Sequence, residues 1–127
     1  MTKRPDHDPL TEQVIGFAIE VHRQLGPGLL ESAYEQCLCY ELKHAALTFE
    51  CQVPLPVIYK DMRLECGYRI DIVVERSLIL EIKAVERLIP IHEAQVLTYL
   101  KLSGIRTGLL LNFGAPALKE EFRRFSL

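Results

Sequence analysis

Two β-strands joined by a tight turn are predicted for residues 68–84, which read Tyr68-Arg69-Ile70-Asp71-Ile72-Val73-Val74-Glu75, Arg76-Ser77 and Leu78-Ile79-Leu80-Glu81-Ile82-Lys83-Ala84. In the second strand the apolar residues 78, 80 and 82 face one way, whereas Glu81 and Lys83 share the opposite face. The Arg76-Ser77 connection is short enough to pair the strands antiparallel. This pairing brings Asp71 beside Glu81 and Lys83 on one face of the sheet.

This polar group has two interpretations. Two carboxylates that converge at the edge of an apolar sheet suit a hard divalent cation, which prefers oxygen ligands. Lys83 beside the cation would orient or deprotonate a water molecule, or stabilise a developing negative charge. Alternatively, Glu81 and Lys83 belong to a solvated strand face, because an Asp followed by Glu-x-Lys is a short pattern of little specificity.

The composition is that of an ordinary globular domain. The chain has 127 residues, 49% hydrophobic and 25% charged, which predicts one domain with a real core from residue 10 to residue 127 and a disordered tail at residues 1–9. No apolar run is long enough to span a bilayer, and the first residues lack the apolar segment of a signal peptide. We therefore expect a cytoplasmic protein without a membrane partner.

The charge and the cysteines limit the choice of partners. The net charge is −2, unlike that of a protein that coats nucleic acid, so any nucleic-acid contact requires local basic clusters or a partner protein. The four cysteines, Cys37, Cys39, Cys51 and Cys66, form no Cys-x-x-Cys motif. Cys37 and Cys39 lie about 200° apart around a predicted helix, which separates them for metal binding. Free thiols are therefore the expected state, with a zinc site as the alternative.

Two helices are predicted before the strands. Apolar residues recur at intervals of three and four from Leu10, Thr11 or Asp8 caps this helix, and the 26–28 Gly-Pro-Gly sequence ends it. A second helix follows from about Leu29 to Ala46. Both helices have a predicted buried stripe: Leu10, Val14, Ile15, Phe17, Ala18, Val21 and Leu25 in the first, and Leu30, Ala33, Tyr34, Cys37, Leu38 and Leu42 in the second.

The remaining segments complete an α/β fold of the α+β type. A strand is predicted at residues 48–59, on an edge because Pro54 and Pro56 cannot donate to a sheet ladder, and another begins at Arg63. After the 68–84 pair, a helix is predicted from Ile91 to Ser103, with Ala94, Val96, Leu97, Leu100 and Tyr99 as its buried residues. A strand buried on both faces follows at residues 107–113, and a short helical or extended tail ends the chain. The predicted order is α-α-β-β-β-β-α-β.

A longer motif identifies a family resemblance. Residues 28–34 read Gly-Leu-Leu-Glu-Ser-Ala-Tyr, which resembles the signature of the bacterial GxxExxY family within the PD-(D/E)xK nuclease superfamily. The parts that the superfamily places in order are all present: Glu31, Asp71, Glu81-Ile82-Lys83, the Gln-x-x-x-Tyr of Gln95 and Tyr99, and the 111–114 Leu-Asn-Phe-Gly sequence. The resemblance covers residues 10–125 and implies a restriction-endonuclease-like core, a mixed sheet of four to five strands flanked by helices. Arg69-Ile70-Asp71 lacks the proline of the superfamily's name.

The resemblance also implies site roles. Asp71, Glu81 and the Ile82 carbonyl would bind Mg²⁺ or Mn²⁺, with Glu31 as an accessory ligand or as the holder of a metal-bound water. Lys83 would position the attacking water or stabilise the phosphate. Gln95 and Tyr99, four positions apart on one helix face, would touch Lys83 or the nucleic-acid backbone.

The residues other than Asp71, Glu81 and Lys83 each have a structural interpretation besides the functional one. Tyr34 fits core packing, Gly28 a tight turn, His92 a surface position, and Gln95 with Tyr99 a purely structural role. Two interpretations are equally open for four basic residues: they line a phosphate-binding edge, or they belong to a solvated surface. These residues are Lys101, Arg106, Arg123 and Arg124.

The expected function is metal-dependent hydrolysis of phosphodiester bonds in nucleic acid, with DNA as the expected substrate. The rival interpretation is a non-catalytic module on the same fold that binds nucleic acid or protein, which the acidic balance and small size favour. A third is a subunit of a larger nucleic-acid-processing complex. A homodimer or larger assembly is also expected, because two sites are needed to cut both strands of a duplex. Either the edge strand at residues 54–59 or the first helix would supply the contact.

Overall fold

A computed structural model describes residues 8–118 and 121–127 of the chain. Its elements are α1 (Pro9–Leu25), α2 (Glu31–His44), β1 (Phe49–Pro54), β2 (Val57–Tyr59), β3 (Met62–Leu64), β4 (Arg69–Val74), β5 (Leu78–Lys83), α3 (Pro90–Ser103), β6 (Thr107–Asn112) and β7 (Phe122–Ser126). Five strands form one sheet in the order β1-β4-β5-β6-β7, and β2 pairs with β3 in a separate hairpin. The predicted mixed sheet flanked by helices is confirmed.

The sheet is mixed because α3 carries the chain back to the end of the sheet where β5 begins, so that β6 runs in the same direction as β5. The β5 strand runs parallel to β6, which follows α3, whereas the other neighbouring pairs are antiparallel. β1 lies at one edge, as its prolines predict, and β7 lies at the other. The β5 and β6 strands are therefore central, which agrees with their nearly continuous burial.

Each face of the sheet has its own apolar core. On one side α1 and α2 pack against the sheet, with Tyr34, Leu38 and Phe113 fully buried. On the other side α3 packs through Val96, Tyr99 and Leu100. Gly108 permits this close approach, because a Cβ there would lie 3.0 Å from Cγ1 of Val96.

The helix boundaries follow from local chemistry. Asp8 caps α1, with its carboxylate accepting hydrogen bonds from the Leu10 backbone (3.1 Å) and the Thr11 hydroxyl (2.9 Å). Pro9 is the first helical residue, one position earlier than predicted. Gly104 ends α3 in the left-handed conformation (φ 79°), which glycine adopts without steric cost. None of these helices is both long enough and apolar enough to cross a bilayer.

Several sequence predictions are corrected. The strand predicted at residues 48–59 is broken at Leu55-Pro56 into β1 and β2. The Leu55 N–H still donates to the Tyr68 carbonyl (2.9 Å), in register with β4, and Pro56 has no N–H with which to continue the ladder. Because the 48–59 strand is divided in two, five strands, not four, precede α3, and the strand predicted from Arg63 is only the short β3. The undecided tail forms β7. Residues 1–7 of the predicted N-terminal tail and residues 119–120 of the C-terminal segment lie outside the described residues.

The core prediction also contains errors at the helix ends. Leu30 was expected in the buried stripe of α2, yet it is the residue before the helix and is 78% exposed. Leu25, at the end of α1, is exposed, and so is Ala94, which lines an open groove instead of the core. In each case helical periodicity was extended to positions where no neighbouring element covers the side chain.

Candidate active site

The carboxylates of Asp71 and Glu81 each accept a backbone N–H from the adjacent strand. The Asp71 carboxylate accepts the Ile82 backbone N–H at 2.8 Å, and the Glu81 carboxylate accepts the Asp71 backbone N–H at 3.2 Å. The paired residues of β4 and β5 run from Val74 and Leu78 to Ile72 and Leu80. Beyond that point the two carboxylates take backbone donors at the end of the strand pair.

The turn between these strands sets their register. Glu75 and Arg76 both have positive φ angles (53° and 55°), and the Ser77 N–H donates to the Val74 carbonyl at 3.0 Å. The connection therefore begins one residue before the predicted Arg76-Ser77 turn. With Val74 opposite Leu78, Asp71 falls opposite Glu81.

Tyr34 fixes the loop that leads into α2. Its ring stacks on Phe113 with 4.6 Å between ring centroids, and its hydroxyl donates to the Gly26 carbonyl at 2.6 Å. The same hydroxyl accepts the Leu29 N–H at 3.1 Å. Tyr34 is thus a core residue, as one interpretation predicted, and it also anchors the start of the helix that carries Glu31.

Glu31 begins α2 and reaches the end of β5. Its carboxylate accepts the Ala84 backbone N–H at 3.2 Å, immediately after Lys83. Burial is the main cause of the raised pKa of Asp71 and of Glu81, and the charge of Glu31 raises both further, as expected for three neighbouring acids. The acid of the Gly-x-x-Glu-x-x-Tyr segment therefore lies beside the predicted site.

Two polar residues that the sequence did not assign to the site join it. Glu35 lies one helical turn after Glu31, and the Gln52 side-chain amide donates to both Glu35 carboxylate oxygens at 2.9 and 3.2 Å. The same amide lies 3.4 Å from Oδ1 of Asp71. The four-residue spacing of Glu31 and Glu35 was a usable signal. Gln52 gave none, because it depends on the register of β1 with β4.

A buried clamp holds the chain after Lys83. The Asn112 side-chain carbonyl accepts the Val85 and Gly114 backbone N–H groups, each at 3.0 Å, and the Phe113 N–H donates to the Lys83 carbonyl at 2.8 Å. Asn112 is fully buried. A Cβ at Gly114 would lie 2.6 Å from the Val85 nitrogen. These contacts give the 111–114 Leu-Asn-Phe-Gly sequence a structural role in positioning Lys83.

Gln95 and Tyr99 form a hydrogen-bonded pair on α3. The Gln95 amide donates to the Tyr99 hydroxyl at 3.0 Å, as expected for residues that share one helix face. Burial raises the pKa of Tyr99 and the hydrogen bond from Gln95 lowers it, while the negative charges of Glu81 and Asp71 raise it further. The pair therefore lies within electrostatic reach of the acids on β4 and β5.

An open groove extends from this pair along α3. Its volume is about 610 Å³, and Lys83, Gln95 and Tyr99 lie on its wall with mainly apolar neighbours. The further lining residues are Val57, Tyr68, Ile91, His92, Ala94, Thr98 and Leu102. His92 is half-buried and accepts the Ile89 N–H at 3.1 Å, which assigns it a helix-capping role.

The acids have strongly altered proton affinities. Glu81 is 3% exposed, and its burial, followed by the nearby Asp71 charge, raises its pKa to about 8. Burial also raises the pKa of Asp71, and burial raises that of Glu35 despite its hydrogen bond from Gln52. The positive charge of Lys83 opposes the shift at Asp71 and at Glu81. Like charges that converge in a partly buried place are the arrangement that a cation relieves.

The oxygen atoms of the site acids are suitable ligands for a hard divalent cation, but they are not arranged as a ready-made metal site. The acids provide carboxylate oxygens, the ligands that Mg²⁺ and Mn²⁺ prefer. Within residues 8–118 and 121–127, no three His, Cys, Asp or Glu side chains are grouped as a ready set of metal ligands. Asp71 and Glu81 instead bind backbone N–H groups, which a cation would have to replace.

Two of the basic residues proposed for a phosphate-binding edge are paired with acids. Arg123 lies 3.6 Å from Glu93, and Arg124 pairs with Glu12 of α1. Both belong to β7, at the sheet edge farthest in strand order from β1. Lys101 and Arg106 are exposed.

Comparison with known proteins agrees with this fold. A family model described as the PD-(D/E)XK nuclease superfamily matches residues 8–125. The chain therefore belongs to the PD-(D/E)XK nuclease superfamily, and its five-stranded mixed sheet with three helices is consistent with the restriction-endonuclease-like fold. Nucleases of this superfamily generally use divalent metals. No curated protein and no solved structure matches the chain, and the finer GxxExxY assignment stays a prediction.

Proposed function

We propose that the protein is a divalent-metal-dependent nuclease that hydrolyses phosphodiester bonds, with DNA as the expected substrate. The observation that carries this proposal is the placement of the Asp71 and Glu81 carboxylates at the end of the β4–β5 pair, where Glu81 accepts the Asp71 N–H, Asp71 accepts the Ile82 N–H, and the Lys83 charge acts on both carboxylates. Superfamily membership supports the class of reaction. The proposal assigns residues 10–127 to one nuclease domain.

The acids would form the metal site. Asp71, Glu81 and the Ile82 carbonyl oxygen would hold Mg²⁺ or Mn²⁺, with Glu31 as an accessory ligand. A bound divalent cation lowers the pKa of a water molecule and neutralises negative charge on the scissile phosphate. Gln52 would keep Glu35 and Asp71 together until the cation binds, since its amide already bridges their carboxylates.

The other side chains would act on water and substrate. Lys83 would position the attacking water molecule or stabilise the negative charge that develops on the phosphate. Gln95 and Tyr99 would orient Lys83 or contact the nucleic-acid backbone from the wall of the groove. The clamp around Asn112 would keep Lys83 in place during the reaction.

A cleavage panel tests this function. Labelled single- and double-stranded DNA and RNA are incubated with Mg²⁺, Mn²⁺, Ca²⁺ or EDTA. Cleavage is expected with Mg²⁺ or Mn²⁺, and weakly with Ca²⁺, whose longer and looser coordination places water poorly. Glu81→Ala and Lys83→Ala should abolish it with native circular dichroism. The matched controls are Glu50→Ala and Lys43→Ala, which replace exposed residues outside the site and should retain full activity. Equal activity of Glu81→Ala and the parent protein would refute the assignment.

Metal binding can be tested separately from cleavage. Mn²⁺ should raise the melting midpoint of the parent protein, because a ligand that binds only the folded state stabilises it, by about 2.7 kcal/mol at a hundredfold excess over Kd. Asp71→Asn should melt at or above the parent protein in EDTA and gain much less from Mn²⁺. A parent protein without any Mn²⁺ shift, together with an Asp71→Asn variant that simply melts lower, would make Asp71 structural.

The non-catalytic interpretation has its own supporting observation. The Asp71 and Glu81 carboxylates are bonded to backbone N–H groups, and the net charge is −2. A module that only binds nucleic acid or protein, alone or in a larger complex, would keep such structural carboxylates. It predicts nucleic-acid binding in EDTA without cleavage in any metal, an outcome that the same panel reveals.

A further inference from the structure

Two cysteine thiols meet beside the candidate site. Cys39 of α2 and Cys51 of β1 place their sulfur atoms 3.0 Å apart, at a distance where one thiol donates to the other. All four cysteines are free thiols in the structure. A disulfide has a sulfur–sulfur length of about 2.0 Å, so a shift of about 1 Å would join these two side chains.

The two thiols differ in their surroundings. Cys51 is exposed on the edge strand, where a dissolved reagent can reach it. Cys39 is half-buried, and burial and the hydrogen bond with Cys51 raise the pKa of its thiol. Cys51 is therefore the thiol that an oxidant meets first, and Cys39 is the neighbour that can complete a bond.

We propose that Cys39 and Cys51 are a reversible disulfide-forming pair whose oxidant is a small-molecule disulfide such as glutathione disulfide. The Cys51 thiolate attacks one sulfur of the reagent and releases one glutathione thiol. Cys39 then gives up its proton, attacks the Cys51 sulfur of the mixed disulfide and releases the second glutathione. The two protein thiols are oxidised, and one glutathione disulfide is reduced to two thiols.

The position of the bond links it to the candidate site. Cys51 directly precedes Gln52, whose amide bridges Glu35 and Asp71. Cys39 lies one helical turn after Glu35 on the same face of α2. A bond between the cysteines would therefore tie the strand that carries Gln52 to the helix that carries Glu35, and it would restrict movement of this bridge.

Thiol counting tests the proposal on the full-length protein. The reduced chain has four reactive thiols in denaturant. Incubation of the folded protein with glutathione disulfide should leave two, with a mass lower by two hydrogen atoms, and dithiothreitol should restore four. Peptide mapping should recover the fragment that joins Cys39 to Cys51. The oxidised protein should melt several degrees higher, because the cross-link restricts the unfolded chain.

Single serine variants supply the controls. The internal disulfide should be absent from both Cys39→Ser and Cys51→Ser. Cys51→Ser should also lose the initial reaction with glutathione disulfide. Cys37→Ser and Cys66→Ser should still form it. In the parent protein, the proposal would be overturned by any of three results: four remaining thiols after excess oxidant, a stable mixed disulfide at Cys51, or cross-linking through Cys66. These readouts need no nucleic acid, so a failed cleavage assay leaves them unaffected.

Discussion

Gln52 shows how a single residue is strained to reach the site. Its φ angle is 54°, in the left-handed region that costs a residue with a Cβ roughly 1–2 kcal/mol. It lies within an otherwise extended edge strand, and its amide spans Glu35 and Asp71. Strained conformations of this kind concentrate at functional sites.

Two substitutions separate the backbone strain of Gln52 from its amide. Both Gln52→Gly and Gln52→Ala remove the amide, but only glycine relieves the left-handed conformation, so the glycine variant should be more stable by about 1 kcal/mol. Urea denaturation measures the difference. Glu50 lies on the same strand without a positive φ, so there the glycine variant should be the less stable of the two. The same order at both positions would contradict the strain at Gln52.

Glu81 predicts a pH dependence of stability. Its folded pKa of about 8 lies above the ordinary value of 4.5, so the folded state holds a proton that the unfolded chain has released between these values. Stability in EDTA should therefore fall as pH rises from about 5 to about 8, by an amount on the order of a few kcal/mol. Glu81→Gln, which is neutral throughout, should lack this contribution. Its advantage over the parent protein in urea denaturation should grow across that pH window, and parallel curves would contradict the assignment.

At the scale of elements, sequence patterns predicted the helices and strands whose formation depends on residues close together in the chain. Alternation in β5 predicted that Glu81 and Lys83 share a face, but the predicted two-residue turn would place Asp71 opposite Ile82, on the other face. The turn begins one residue earlier, and this register places Asp71 opposite Glu81. Gln52 could not be found in this way, because its place depends on the pairing of β1 with β4, which are distant in sequence. Long-range register is therefore what the sequence pattern left undetermined.

The contact between the segment after β5 and the segment after β6 yields a prediction about Gly114. A Cβ at this position would overlap the backbone of Val85, which cannot move without disturbing Lys83 and Asn112. Gly114→Ala should lower the free energy of unfolding by about 1–3 kcal/mol, as overpacking does, and should reduce cleavage more than its remaining folded fraction explains. Gly16→Ala, where nothing lies within 4 Å of the added Cβ, should instead stabilise α1.

At the scale of the whole molecule, the β2–β3 hairpin presents an apolar surface to solvent. The β2–β3 hairpin stands apart from the main sheet and exposes Ile58, Tyr59 and Met62, each to at least half of its side-chain surface. This hairpin includes the end of the 54–59 segment that the sequence offered, beside the first helix, as a dimer contact. Clustered apolar residues on a surface typically mark a protein interface.

We predict that this hairpin joins two copies of the chain. A twofold contact uses the same patch on both subunits, so one charged substitution disrupts it twice. Light scattering at micromolar concentration should give a dimer mass for the parent protein and a monomer mass for Ile58→Lys. The matched control is Tyr40→Lys, which places the same charge at an exposed aromatic residue on α2 and should leave the dimer intact. A parent protein that is monomeric at this concentration would exclude the dimer, whereas dissociation by Tyr40→Lys alone would move the contact to the helical face. If the dimer is needed to cut both strands of a duplex, Ile58→Lys should nick duplex DNA while its cleavage of single strands stays at the parent level.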